Sequence, residues 1–352
     1  MAKKRTVALL FGGRSAEHEV SIRSAAAVFD NLNPAKYRAV SIFINKQGRW
    51  KKVASPRVPA AALRRGPFGD FLPWRRSAGL SSLSADIYFP ILHGPYGEDG
   101  TIQGLLEMAD VPYVGAGVFA SAAGMDKAEM KALFRAKGLP IVKYRVVLEA
   151  DWRRSSATIL DAVRREFPLP LFVKPSNLGS SVGITKVKTR SGVPAAVEKA
   201  FQYDRKILVE EGIRGRELEC SVLGNDDPEA SLPGEVMPDN EFYDYNDKYR
   251  DGKTRFGIPA DLPPAVAREV RRLAVDAFTA CDAAGMARVD FFLQAGTNRV
   301  LVNEINTIPG FTAISMYPKL WEATGLPFPA LVDRLVELGF ERHRAKKRRV
   351  AR

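Results

Sequence analysis

The chain has 352 residues, 46% of them apolar and 26% charged, which gives room for two or three domains with ordinary globular cores. The net charge of +13 invites a nucleic-acid partner, but residues 341–352 hold seven Lys/Arg against one Glu, and the rest balances at +7. No nucleic-acid-reading motif is present, no apolar run reaches membrane-spanning length, and the two cysteines, Cys220 and Cys281, lie in no metal-ligating spacing, which together fit a protein of the reducing cytoplasm.

Residues 5–11 (RTVALLF) read as a buried strand, too short for the apolar region of a signal peptide. A glycine pair and the helical SIRSAAAVFDNL follow, and α/β folds present backbone N–H groups and a helix N-terminus to ligands in this way. The full GxGxxG fingerprint is missing, so dinucleotide binding is not supported. Glu17 either complements the helix dipole or grips a substrate ammonium. YRAVSIFIN is a second strand, and residues 46–85 form a surface excursion with a hairpin near GRWKKV. IYFPIL is a third strand, entering the glycine-rich loop HGPYGEDG and the helix TIQGLLEM. His93 caps that strand or faces a ligand. The first unit closes near residue 123.

DKAEMKALFRAKGLPIVKYRVV reads as helix, glycine stop and strand, followed by a helical stretch near 155–167 and the strand LFVKP. Lys174 opens KPSNLGSSVGITKV, whose small residues form either a plain hairpin loop or a phosphate cradle of backbone amides. ILVEE and RELECSVLG are strands about a Gly212–Gly215 turn, with Glu217 and Glu219 on one face. Residues 234–260 read as a long aromatic–charged loop, and its five aromatics argue that it packs as a lid. PPAVAREVRRLAVDAFTACDAAG is an amphipathic helix, and a last helix near 327–339 precedes a solvated basic tail.

RVDFFL and VLVNEIN flank a Gly/Asn turn and form a hairpin. Period-two alternation puts Arg288 and Asp290 on one face of the first strand and Glu304 and Asn306 on one face of the second. Asp290 then lies opposite Glu304, an unfavourable pairing without a cation between them. Hard oxygen donors of this kind suit Mg²⁺ completed by phosphate and water, and a polar solvated hairpin face is the alternative.

Six segments together, GGRSAEHEVS, HGPYGEDGT, GMDK, VKPSNLGSSVGI, EFYDYNDKY and NEINTIPGF, resemble the D-alanine–D-alanine ligases of the ATP-grasp superfamily in order and approximate spacing. The resemblance spans about residues 5–340. It implies an α/β, three-domain ATP-grasp fold with an N-terminal Rossmann-like domain. Residues 1–123 would be the N-terminal domain, 124–211 the central one and 212–340 the C-terminal one with a lid at 236–257, followed by a basic tail at 341–352. It also implies two Mg²⁺ or Mn²⁺ ions, ATP and D-alanine as substrates, and a homodimer. ATP phosphorylates one D-alanine carboxylate, and the amine of a second attacks the acylphosphate. By the same resemblance Glu17 holds the first ammonium and forms a triad with Ser180 and Tyr249. Lys127, Lys174, Glu210, Glu211, Ile213, Glu217 and the lid residue Lys248 contact the nucleotide. Asp290, Glu304 and Asn306 ligate the metals. Arg288 stabilises the transferring phosphoryl group, the Gly310 N–H stabilises the oxyanion, Ser315 and Met316 receive the second substrate's carboxylate, and His93 lies near the substrates. The chain departs from the family pattern at Ala313, where Ser is frequent, and in the tail. The rivals are a D-alanine–D-lactate ligase, disfavoured by Tyr249, another ATP-grasp carboxylate–amine ligase, and an inert fold binding nucleic acid, disfavoured because Arg288 and the metal ligands are all present.

Overall fold

The computed structural model describes residues 3–59, 62–63, 68, 85–179, 182–237 and 254–347. Strand β1 (Arg5–Gly12) pairs in parallel with β2 (Tyr37–Ile44) on one side and β4 (Ile87–Ile91) on the other. β3 (Trp50–Val53) adds an antiparallel edge, the hairpin expected near GRWKKV. Seven of the eight β1 residues are buried, because both faces of this sheet are covered. Val7, Leu9 and Phe11 pack toward α1 (His18–Asn31), while Ala8 and Leu10 pack toward α2 (Thr101–Met108). α3 (Val118–Met125) leads into α4 (Lys127–Ala136), whose first N–H groups are capped by the Asp126 carboxylate.

A second, antiparallel sheet has the order β5-β8-β6-β7. Its strands are β5 (Tyr144–Leu148), β6 (Leu171–Pro175), β7 (Thr185–Val187) and β8 (Lys206–Glu211). α5 (Glu149–Glu166) and α6 (Val193–Phe201) cover one face, onto which Leu171, Val173, Ile207 and Val209 point. Alternation sends Phe172, Lys174 and Glu210 to the opposite face. Gly183, at φ +76°, turns the β6–β7 loop where a Cβ would meet Pro175 at 2.7 Å, so only glycine fits.

The third sheet has the order β12-β11-β9-β13-β14, with β10 (Glu229–Ala230) attached to β9. β9 (Gly215–Gly224) lies between β11 (Gly234–Met237) and β13 (Gly285–Gln294), and β12 (Arg255–Gly257) and β14 (Val300–Asn306) are the edges. α7 (Pro264–Ala280) buries Val270, Leu273 and Ala277 against Cys220, Val222, Val289 and Phe291. Pairing shifts register after Asp290↔Glu304 to Phe291↔Val302, which makes Asn303 the extra residue of a bulge. The bulge lets Val302 and Ile305 both face the core while Glu304 remains opposite Asp290. α8 (Met316–Ala323) and α9 (Phe328–Lys347) complete the chain.

Three expectations change. The helix placed near 155–167 spans 149–166. The 234–260 stretch read as loop begins and ends in strands β11 and β12, which pair with each other. The basic run is not a solvated tail through residue 347, because α9 continues that far and three of its cations find partners. Arg342 lies 4.0 Å over the Tyr113 ring and 3.5 Å from Glu107, Lys346 also pairs with Glu107, and Lys347 is 3.3 Å from Asp110.

Candidate active site

The cleft-facing sides of the second and third sheets border a cavity of about 690 Å³. Lys127, Lys174, Glu210, Glu211, Ile213, Glu217, Asp290 and Glu304 all line it. These residues come from α4, β6, β8, the 212–214 turn, β9, β13 and β14, so a site scattered over some 180 positions is gathered by two sheet faces, one turn and one helix end. Phe172 and Phe292 add apolar wall, giving the mix of flat hydrophobic surface and few charges that a small-molecule pocket needs.

One end of the cavity holds a buried charge cluster. Lys174 Nζ lies 2.5 Å from Glu210 Oε2, and Lys131 Nζ lies 3.3 Å from Glu210 Oε1 and donates to the Asn303 carbonyl at 3.2 Å. Lys131 and Glu210 are 1% and 2% exposed. Burial opposes the Glu210 carboxylate, but Lys131 and Lys174 override it and hold the group below the usual carboxylate range. Burial lowers the Lys131 ammonium, since one carboxylate serves two cations. Lys131 escaped the sequence reading. The available signal was its position one turn after Lys127, on the same helix face.

At the other end, Arg288 donates to both oxygens of Asp290 at 2.7 Å and sits 3.2 Å from Glu219. Burial works against the Arg288 cation, and Asp290 and Glu219 outweigh it, raising the guanidinium well above its ordinary range. Asn306 Nδ2 donates to Asp290 Oδ2 at 3.1 Å, and Lys127 Nζ is 3.4 Å from Glu304. The facing carboxylates thus each have a cation beside them, as the strand pairing requires. Among the described residues, no three His, Cys, Asp or Glu side chains converge in a metal-holding group. Two carboxylates and a carboxamide fit a hard divalent ion only where other oxygens complete its shell, as nucleotide phosphates do.

Glu17 ends the β1–α1 loop without capping α1 through its side chain. Its Oε2 would lie 3.4 Å from a Cβ on Gly179, which brings the Gly/Ser loop to the N-terminal sheet. His93 is buried and absent from the cavity wall. Its Nδ1 is 3.0 Å from the Ile308 carbonyl and its Nε2 3.0 Å from Ser24 Oγ, so both ring nitrogens are engaged within the fold. Ser315 Oγ accepts from the Thr312 N–H at 2.9 Å, close to Gly310. The Met316 side chain is 4% exposed and packs with Val236 and Leu320, which leaves its backbone N–H, at the start of α8, as the group able to meet a carboxylate. Ser180, Lys248 and Tyr249 lie outside the described residues.

Known proteins are similar to the chain over nearly its whole length. The family models described as "D-ala D-ala ligase N-terminus" and "D-ala D-ala ligase C-terminus" match residues 6–116 and 133–337. A D-alanine–D-alanine ligase of Solibacter usitatus is 52% identical over 344 residues, covering 98% of each chain. One from Heliobacterium modesticaldum is 48% identical, covering 98% of this chain and 97% of its own. The structure of the D-alanine–D-alanine ligase from Coxiella burnetii superposes with TM-score 0.86 at 42% identity, over 99% of this chain and 97% of that one. The VanG D-Ala:D-Ser ligase of Enterococcus faecalis gives 0.83 at 32% identity, over 96% and 100%. Both halves of this chain, and the ATP-grasp architecture that joins them, therefore make it a member of the D-alanine–D-alanine ligase family.

Proposed function

We propose that the chain joins two D-alanine molecules with ATP, forming D-alanyl-D-alanine, ADP and phosphate for cell-wall precursor synthesis. The observation that carries this is one cavity lined by Lys127, Lys174, Glu210 and Glu217 together with Asp290 and, opposite it across the strand pair, Glu304. Glu210 accepts from the adenine amino group, Glu217 meets the ribose, and Lys127 and Lys174 meet the phosphates. Asp290, Glu304 and Asn306 are the side chains that would hold divalent ions. When bound, such ions neutralise charge on the phosphates. Glu17 orients the first D-alanine through its ammonium, with its carboxylate oxygen toward the γ-phosphorus. That oxygen forms the new P–O bond as ADP leaves. Arg288 stabilises the phosphoryl group during that transfer. The neutral amine of the second D-alanine then attacks the acylphosphate carbon, the Gly310 N–H takes up the negative charge of the tetrahedral centre, the nitrogen releases a proton to solvent, and phosphate departs. The α8 N-terminus at Ser315 and Met316 receives the second carboxylate. Phosphoryl transfer depends on positioning and charge neutralisation, which is what these residues supply. A homodimer and a cytoplasmic location accompany this reading through the family resemblance.

D-alanine as the second substrate is supported by relatives of that name at 46–52% identity, against 32% for the D-Ala:D-Ser ligase. Phosphate release from MgATP, with products identified across D-alanine, D-serine, D-lactate and L-alanine, tests it. Dipeptide from D-alanine alone is the expected result, and no D-alanine-dependent release would overturn it.

A further inference from the structure

The segment Ile308-Pro309-Gly310-Phe311 follows β14 and carries three backbone N–H groups, because Pro309 has none. Side chains from α1 and from the loop after β4 take the outer two. The Ile308 N–H donates to Glu98 Oε1 at 3.4 Å, and the Phe311 N–H donates to Ser24 Oγ at 3.2 Å. The Ile308 carbonyl accepts from His93 Nδ1 at 3.0 Å. With that proton on Nδ1, Nε2 is an acceptor, and the Ser24 hydroxyl donates to it at 3.0 Å. Glu98 is itself fixed, since its Oε2 accepts from the Gly94 N–H at 2.7 Å. The Gly310 N–H, between the two held neighbours, goes to no acceptor among the described residues.

Apolar packing already fastens this joint. Phe311 meets Phe89 edge-on at 6.0 Å, Tyr317 at 5.5 Å, and stacks on Phe328 at 6.0 Å. Three further polar side chains are therefore not needed merely to hold the segment against the N-terminal sheet, and buried polar groups cost stability unless each bond is made. What they add is direction, because hydrogen bonds on both flanks of Gly310 fix the plane of its peptide.

We propose that Ser24, His93 and Glu98 are positioning residues that aim the Gly310 N–H at the oxyanion of the tetrahedral centre. The inference rests on the ligase reading above and assigns His93 to the fold of the loop rather than to substrate contact. A misaimed donor slows the attack of the amine on the acylphosphate and spares formation of the acylphosphate.

The test compares wild type with Ser24→Ala and Glu98→Gln, which alter opposite flanks of the loop with little change of shape. D-alanine-dependent positional isotope exchange in ATP reports acylphosphate formation, and dipeptide synthesis reports the whole reaction. Dipeptide synthesis is expected to fall about 10- to 100-fold, the scale for a displaced oxyanion donor. Exchange and the KM for ATP are expected to stay within about three-fold, which also shows that the variants are folded. Exchange and synthesis falling by one common factor, or neither falling, overturns the proposal. Absence of exchange in the wild type would instead refute the ligase reading.

Discussion

Replacing Lys131 by Met tests whether the Lys131–Glu210–Lys174 cluster holds Glu210 ionised. At 3.3 Å and an effective dielectric of about 20, the Lys131–Glu210 attraction is about 5 kcal/mol. Two opposing terms reduce the loss: the buried ammonium's own desolvation disappears, and Glu210 keeps Lys174 at 2.5 Å. Truncating one partner of a buried pair costs about 3–5 kcal/mol, so with Lys174 retained the loss is set at about 2–3 kcal/mol near pH 8. The sign of the pH dependence follows from the wild-type carboxylate, which is held below its unfolded value. That contribution is complete above the unfolded pKa and is lost only as pH falls through the folded one, so Glu210 adds no slope between pH 5 and 8 in the wild type. In the variant, burial is less opposed, the folded value moves upward past the unfolded one, and stability falls as pH rises across that window. The deficit should therefore be larger at pH 8 than at pH 5.5, read as urea midpoints of both proteins at both values. The KM for ATP should rise about ten-fold, as expected when a buried acceptor is weakened by about 1.4 kcal/mol. A deficit below about 1 kcal/mol that does not change with pH would refute the account.

Asp290→Asn and Glu304→Gln should each lower D-alanine-dependent phosphate release at least about 100-fold with circular dichroism unchanged, because charge neutralisation of the phosphates fails. Near-normal turnover in either variant removes that residue from the metal assignment. Burial, and then the nearby Glu17, push the Glu98 carboxyl up to about 8. Its contribution to stability is therefore full below the unfolded carboxylate value and is lost as pH rises through about 8. Wild type should lose stability relative to Glu98→Gln between pH 5 and 9, and parallel urea midpoints across that range would contradict it. Arg342→Ala, which removes a guanidinium stacked at 4.0 Å on Tyr113 and paired with Glu107, should destabilise by about 1 kcal/mol. Thermal unfolding checks this, and an unchanged midpoint would return α9 beyond residue 341 to a loosely held end.

The sequence showed what depends on local periodicity and concealed what depends on distant contact. Alternation along two short strands placed Asp290 across from Glu304, and the register confirms that pairing residue for residue. The bulge at Asn303 supplies the one extra residue between the turn and Glu304 that this pairing needs. Lys174 was legible from its place at the start of the Gly/Ser loop and Glu210 only through the family resemblance, and both line the cavity on β6 and β8. Charge counting failed at the C-terminus for a physical reason. The count saw cations at 342–347 and could not see Glu107 and Asp110, more than 230 positions earlier, which turn part of a repelling run into a docked helix. The hold on Gly310 was hidden more completely. Ser24, His93 and Glu98 carry no spacing signal toward Ile308 and Phe311, since their partners lie 210 to 287 positions away. The His93 ring shows how little a residue type alone decides. A histidine beside a ligand loop reads equally as a strand cap or a ligand contact, and here its two nitrogens meet the Ile308 carbonyl and the Ser24 hydroxyl.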